Sequence, residues 1–230
     1  VPPARAAEIG LRAVSSGIRT LKVKVGGANP REDEERLQAL RDAVGPEVKI
    51  RVDANQAWSP DGAIESLRSL ARFDLEYAEQ PVSAEDLEGL ARVRRGVPVR
   101  IAADESVRDT KSAEMIVYRS AADILILKPM ALGGLREARS VQNVAGDGGM
   151  PVVVTSLVES AIGRAAALHF AASLGETAFA HGVATGEALA SDLAPSASPS
   201  RGTIAVPEGP GLGIALPEEF WREAYTVEAE

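Results

Sequence analysis

Six residues carry the first chemical hint: Lys22, Lys24, Asp53, Glu79, Asp104 and Lys128. The three carboxylates each follow a short apolar, β-rich run, Val48–Val52, Leu75–Ala78 or Val99–Ala103. Taken singly, such an Asp or Glu reads as a helix cap or a solvated strand end. Three that converge on one mouth repel one another unless a cation joins them. Oxygen donors without His or Cys suit a hard ion, Mg²⁺ or Mn²⁺ in its place, with water or substrate oxygens in the remaining positions. Lys22 and Lys24 flank Val23, so period two puts both on one face and Leu21, Val23 and Val25 on the other. A lysine works as a base where its pKa falls toward neutrality, and desolvation and nearby positive charge push it that way. A divalent cation with lysines makes carbon-acid chemistry accessible: a proton α to a carboxylate leaves, and the metal stabilises the enediolate.

Such groups need a frame that gathers strand ends. Apolar runs recur at Leu21–Val25, Val48–Val52, Leu75–Ala78, Val99–Ala103, Ile124–Leu127, Val152–Val154 and Phe179–Ala180. Amphipathic stretches such as Glu32–Val44, Pro60–Phe73, Ala84–Arg94 and Leu135–Ala145 lie between them, a pattern of βαβ units and a parallel sheet. The runs end at Lys24, Asp53, Glu79, Asp104, Lys128, Thr155 and His181, in steps of 29, 26, 25, 24, 27 and 26 residues. An open sheet would scatter these ends, whereas a closed barrel collects them at one mouth, where barrel enzymes keep their chemistry. The expected fold is α/β, a TIM-type (β/α) barrel over residues 1–187, with a tail, 188–230, packed on its outside. Seven strands are counted and none precedes the first helix, Ala4–Ser16, so a first strand is expected to be absent or replaced.

Composition narrows the partners. The 230 residues carry 25 basic and 33 acidic side chains, a net charge of −8, which argues against nucleic acid and against an anionic membrane surface. No apolar run approaches the roughly 18 residues of a spanning helix, and Val1-Pro2-Pro3 opens no signal-peptide pattern. Without cysteine there is no disulfide, thiolate metal site or thiol nucleophile, which fits a cytoplasmic location.

The motifs Lys22-Val23-Lys24, Asp53-Ala54-Asn55, Glu79-Gln80-Pro81, Asp104-Glu105-Ser106 and Lys128-Pro129-Met130-Ala131-Leu132-Gly133-Gly134 resemble the enolase superfamily, within it the muconate lactonizing enzyme subgroup. A lysine base with Mg²⁺ is a known arrangement of that superfamily. The resemblance runs from about Ala6 to Gly213 and implies a modified (β/α)7β barrel. It implies Asp53, Glu79 and Asp104 as Mg²⁺ ligands and Lys24 and Lys128 as acid/base groups on opposite faces of a small carboxylate substrate, Lys128 otherwise serving as a cationic stabiliser. Lys22 would tune Lys24, and Asn55 and Glu105 would support the ligands. The segment from Thr155 to Gly163 looks most like the corresponding part of o-succinylbenzoate synthases, with Thr155, Ser156, Glu159 and Gly133 near the substrate. The segment Ala180–Gly186 lacks the Asp-x-Asp associated with dipeptide epimerases. The resemblance thus favours syn-dehydration in menaquinone synthesis, ahead of cycloisomerisation or N-acylamino acid or dipeptide racemisation.

Other readings remain beside it. The family carries an N-terminal α+β capping domain, to which nothing here corresponds, so a silent barrel lacking its cap is one alternative. A simple metal- or phosphate-binding barrel is another; Gly133-Gly134 could offer amides to an anion or simply form a tight turn. His169 and His181 are not placed as catalytic groups, and Trp58 suits packing better than a pocket wall. A homo-oligomer is compatible with the family, with no independent support in the chain.

Overall fold

The computed structural model describes residues 1–185, 189–195 and 197–218. Helix and strand alternate: α1 (Pro3–Ser15), β1 (Thr20–Lys24), α2 (Pro30–Val44), β2 (Lys49–Asp53), α3 (Pro60–Leu70), β3 (Leu75–Glu79) and α4 (Leu87–Gly96). They continue as β4 (Ile101–Ala103), α5 (Thr110–Tyr118), β5 (Ile124–Leu127), α6 (Leu135–Asp147), β6 (Val152–Val154) and α7 (Ala161–Ala172). The helix starts follow from local chemistry. Asn29, Ser59, Asp86 and Asp109 each accept a backbone N–H of the first turn, and Pro30 and Pro60 take positions where no amide is needed.

The six strands pair in parallel in chain order. Period two then sorts the side chains. Leu21, Val23, Ile50, Val52, Ala78, Ile101, Ala103, Leu125, Leu127 and Val154 face outward and join the helices' apolar sides in the larger core. Tyr77, Ala102, Ile124, Ile126 and Val153 face inward and meet Phe179 in a second, smaller core. The sheet curls into a half-barrel, so distant segments meet across the inner face. Arg51 of β2 donates from Nη1 to the Ala180 carbonyl at 2.9 Å, and the Tyr77 and Phe179 rings pack edge to face at 6.0 Å.

One expectation needs correction. Phe179–Ala180 is not a regular strand, because side chains take its carbonyls: Thr177 Oγ1 donates to Phe179 and Arg51 to Ala180. The chain rejoins the sheet one residue after His181, through a single parallel bridge between Thr155 and Gly182. Among the described residues the sheet therefore holds six strands and this bridge where seven strands were expected. At the opposite side β1 is the edge, paired only with β2 among the described residues. A cavity of about 640 Å³ runs along it, walled by Ile9, Leu21, Val23 and Leu40 and reaching Lys22 and Lys24. Beyond the barrel, Ala197 and Ile204 pack against the outer core. Gly186 and the expected boundary at 187/188 lie outside the described residues.

Candidate active site

The strand registers set Lys24 beside Asp53 and Asp53 beside Glu79 on the inner face. Asp104 and Lys128 follow immediately after β4 and β5. Side chains from five consecutive strands or their ends consequently pair at this end of the sheet. Lys22 Nζ lies 2.7 Å from Glu79 Oε1 and 3.2 Å from Asp53 Oδ2. Lys24 Nζ is 2.7 Å from the same Asp53 oxygen, and Lys128 Nζ is 2.5 Å from Asp104 Oδ2. The carboxylates are buried, whereas the Lys24 side chain is 66% exposed and open to an arriving molecule.

Burial and crowding set the proton affinities. Burial, reinforced by the charges of Asp53 and Asp104, pushes the Glu79 carboxyl above the usual carboxylate range against the pull of Lys22. Burial also acts to raise Asp53, but Lys22 and Lys24 outweigh it and hold that carboxyl low. For Lys22, burial favours the neutral amine, yet Glu79 and Asp53 outweigh it and raise the affinity for the proton. Lys22 is therefore a fixed cation of this site.

Glu79 Oε2 is buried and has no hydrogen-bond partner. Asp53, Glu79 and Asp104 offer oxygen donors alone, and the unpartnered, buried Glu79 Oε2 is a donor that a hard divalent cation would take. The donor set thus fits Mg²⁺ chemically. Among the described residues, no three acidic or histidine side chains already stand in a metal cage, since each of these carboxylates is drawn to a lysine.

The loops beyond the strands hold this constellation. Asn55 accepts a hydrogen bond from Lys24 Nζ, donates from Nδ2 to Glu105 Oε1 at 3.0 Å, and gives its backbone N–H to Asp53 Oδ1 at 3.1 Å. Asn55, Gln56 and Gln80 all have positive φ, so left-handed backbone concentrates beside the site. Gln80 was legible only as part of a motif, without a role. Its buried Oε1 accepts from the amides of Asp104 and Ser106, at 2.9 and 3.1 Å, and its Nε2 donates to Val82 and Ser106. Gln80 thereby fixes the start of the loop that carries Asp104.

On the β6 side Thr155 and Ser156 are buried, and Ser156 Oγ meets Thr185 Oγ1 at 2.9 Å. Glu159 is also buried. Its Oε1 accepts the Leu157 amide at 2.8 Å while Oε2 has no partner. Burial raises its pKa against the opposing pull of that amide, Arg164 and Lys128. Gly133 and Gly134 have φ of +86° and +125°, and their amides donate within the turn to Met130 and Pro129. That spends the two N–H groups an anion would need and favours the turn explanation. His181 Nδ1 accepts the Val154 amide, His169 contacts the Leu212 carbonyl, and Trp58 packs on the outer core.

Residues 5–220 match the family described as enolase C-terminal domain-like. The chain belongs to that family. An o-succinylbenzoate synthase of Thermobifida fusca is 44% identical over 195 residues, 84% of this chain and 59% of that protein. A hydrophobic dipeptide epimerase of Enterococcus faecalis is 38% identical over 168 residues, 73% of this chain and 47% of that one. The solved structure of a dipeptide epimerase from Enterococcus faecalis, complexed with Mg and the dipeptide L-Leu-L-Tyr, superposes with a TM-score of 0.86 at 32% identity, covering 94% of this chain and 61% of that chain. The chain thus spans about half to three-fifths of the length of these enolase-type relatives. Among the described residues no helix is long and apolar enough to cross a membrane.

Proposed function

We propose that this enolase-type chain carries an acid–base site that removes a proton α to a carboxylate, and that its reaction is the syn-dehydration that yields o-succinylbenzoate. The observation that carries the proposal is that Lys24 and Lys128, from strands distant in the sheet, each pair with a buried strand-end carboxylate, Asp53 and Asp104. Asp53, Glu79 and Asp104 would hold Mg²⁺, with Mn²⁺ as a substitute. The bound ion supplies positive charge to the substrate carboxylate and to the negative charge that grows there as the proton leaves.

The remaining work falls to side chains. Exposed Lys24, as the neutral amine, takes the α-proton. In a syn-dehydration the hydroxyl leaves from the same face, so the same ammonium returns that proton to the departing oxygen, and water is released. Lys128 stays protonated on the opposite side and stabilises the developing anion. Lys22, kept cationic by Glu79 and Asp53, attracts the substrate carboxylate. Asn55 and Glu105 orient Lys24 and Asp53, and Thr155, Ser156, Glu159 and the turn at Gly133 border the rest of the substrate. Cytoplasmic placement and a small-molecule carboxylate substrate belong to the same proposal.

Dipeptide epimerisation uses the same lysines on opposite faces. The absence of Asp-x-Asp in Ala180–Gly186 favours dehydration over it. Incubation with the cyclohexadiene-carboxylate precursor and Mg²⁺, followed by absorbance and mass spectrometry, tests the assignment. Loss of 18 mass units supports it (one water, by stoichiometry). Epimerised dipeptide with no dehydration would transfer the site to the racemase branch.

A further inference from the structure

We infer that Asp192 and Arg164 form a clasp that positions Glu159, and that Asp192 is a positioning residue of the site. This inference rests on the proposed chemistry for its kinetic consequence and on geometry alone for its structural one.

The loop after β6, from Thr155 to Ser160, has weak local support. Ser160 occupies the N-cap of α7 without a side-chain cap hydrogen bond. Leu157 and Val158 stand 40% and 61% exposed. Asp192, which lies beyond the barrel in sequence, supplies what is missing. Its Oδ1 accepts the Ala161 amide at 2.8 Å and the Leu193 amide at 2.7 Å, while Oδ2 accepts Arg164 Nη2 at 2.7 Å. The two side chains are 17% and 8% exposed, so this ion pair is partly shielded from water at the surface. An acceptor remote in sequence therefore caps α7 and grips its first turn from two sides.

Glu159 lies directly upstream of that turn. Its unpartnered Oε2 sits over Gly163, where a Cβ would collide with it and with Met130. Arg164 and Lys128 are the charges that act on Glu159. Arg164, held by Asp192 at 2.7 Å, thus joins the clasp to the first turn of α7, the turn against which Glu159 Oε2 rests. A second tie, Thr185 Oγ1 to the Leu157 carbonyl at 2.8 Å, secures the other end of the loop. With both ends anchored, Glu159 has one orientation; with the Asp192 anchor lost, the loop opens from its α7 end.

Limited chymotrypsin digestion tests this on the intact chain. Cleavage after Leu157 is compared with cleavage after Tyr118, which is 83% exposed and remote from the loop. Asp192→Ala is expected to raise the Leu157-to-Tyr118 cleavage ratio about tenfold, the scale of a lost helix cap. Asp192→Asn keeps an oxygen for the Ala161 amide but loses the ion pair, and should recover most of the protection. The Ala variant should also lower kcat/KM about tenfold through kcat, with Mg²⁺ affinity by calorimetry unchanged. An unchanged cleavage ratio in Asp192→Ala overturns the clasp. A raised ratio with unchanged kcat overturns the positioning of Glu159. If wild-type protein turns over no carboxylate offered, the proposed function fails, and the cleavage ratio still decides the clasp.

Discussion

The inner face of the sheet contains two charged regions that use similar residues to opposite ends. Low in the half-barrel, Arg51 pairs with Glu76 at 2.5 Å, stacks over Tyr77 at 4.5 Å and donates to the Ala180 carbonyl. There Arg51 is held by one carboxylate beside a small aromatic core, with its Nη2 left unpartnered. At the mouth, Lys22, Lys24 and Lys128 face Asp53, Glu79 and Asp104, and Glu79 is left with an oxygen unpartnered and an elevated pKa. The lower pair fastens the last inner segment to β2 and β3. The upper group retains open donor capacity, the property a metal and an acid–base step require.

This contrast can be broken most severely at the mouth. Lys24→Ala and Lys128→Ala are each expected to lower kcat by about 1,000-fold or more, the range of lost general acid–base catalysis. Calorimetry should find Mg²⁺ affinity nearly unchanged in both; an active double variant would remove the lysines from the mechanism. Asp53→Asn, Glu79→Gln and Asp104→Asn should instead weaken Mg²⁺ by about tenfold or more, as loss of charge in an oxygen cage does. Unaltered affinity in all three would place the ion elsewhere.

At the lower pair, Glu76→Ala leaves a guanidinium buried without its carboxylate. Urea unfolding should show a loss of about 3 kcal/mol, with Mg²⁺ binding retained. Asp61→Ala provides the scale, because its partner Arg92 is 55% exposed and Asp61 79%. That substitution should cost less than about 0.5 kcal/mol.

Stability against pH sharpens the same distinction. Glu79 binds its proton more tightly in the folded chain than in the unfolded one. In the window between its ordinary value of 4.5 and its raised value of about 8, the folded state holds more protons, so this group makes stability fall as pH rises. In EDTA, Glu79→Gln should remove that decline, and the gain over wild type should grow with pH across the window. A parallel pair of stability–pH curves would show that Glu79 has no such excess proton affinity. Asp53 acts in the opposite sense, its contribution fading as pH drops below the usual carboxylate value.

Much of this organisation was legible from period and spacing. Alternation in Leu21–Val25 assigned both lysines to the inner face, and the recurrent strand ends placed Asp53, Glu79, Asp104 and Lys128 around one mouth. What was hidden depended on contacts remote in sequence. Gln80 positions the Asp104 loop through its side-chain amide, which no periodicity reports. Arg51 sits inward among apolar neighbours because Glu76 takes its Nε and the Ala180 carbonyl its Nη1, a partial compensation visible only once the sheet curls. The last strand was overestimated because an apolar run does not reveal that side chains will claim its carbonyls. Asp192, 31 residues from the amide it caps, carried no local signal.

The central claim is that these strand ends form a working carbon-acid site, and proton exchange tests it most directly. The chain would be incubated with Mg²⁺ in D₂O and offered the o-succinylbenzoate precursor, muconolactone and N-acylamino acids, with the α-proton followed by NMR. The account predicts dehydration of the first, or deuterium entry at the α-carbon of one of the panel, lost on adding EDTA and lost in Lys24→Ala. Mg²⁺ binding with neither exchange nor product from any of them would contradict it.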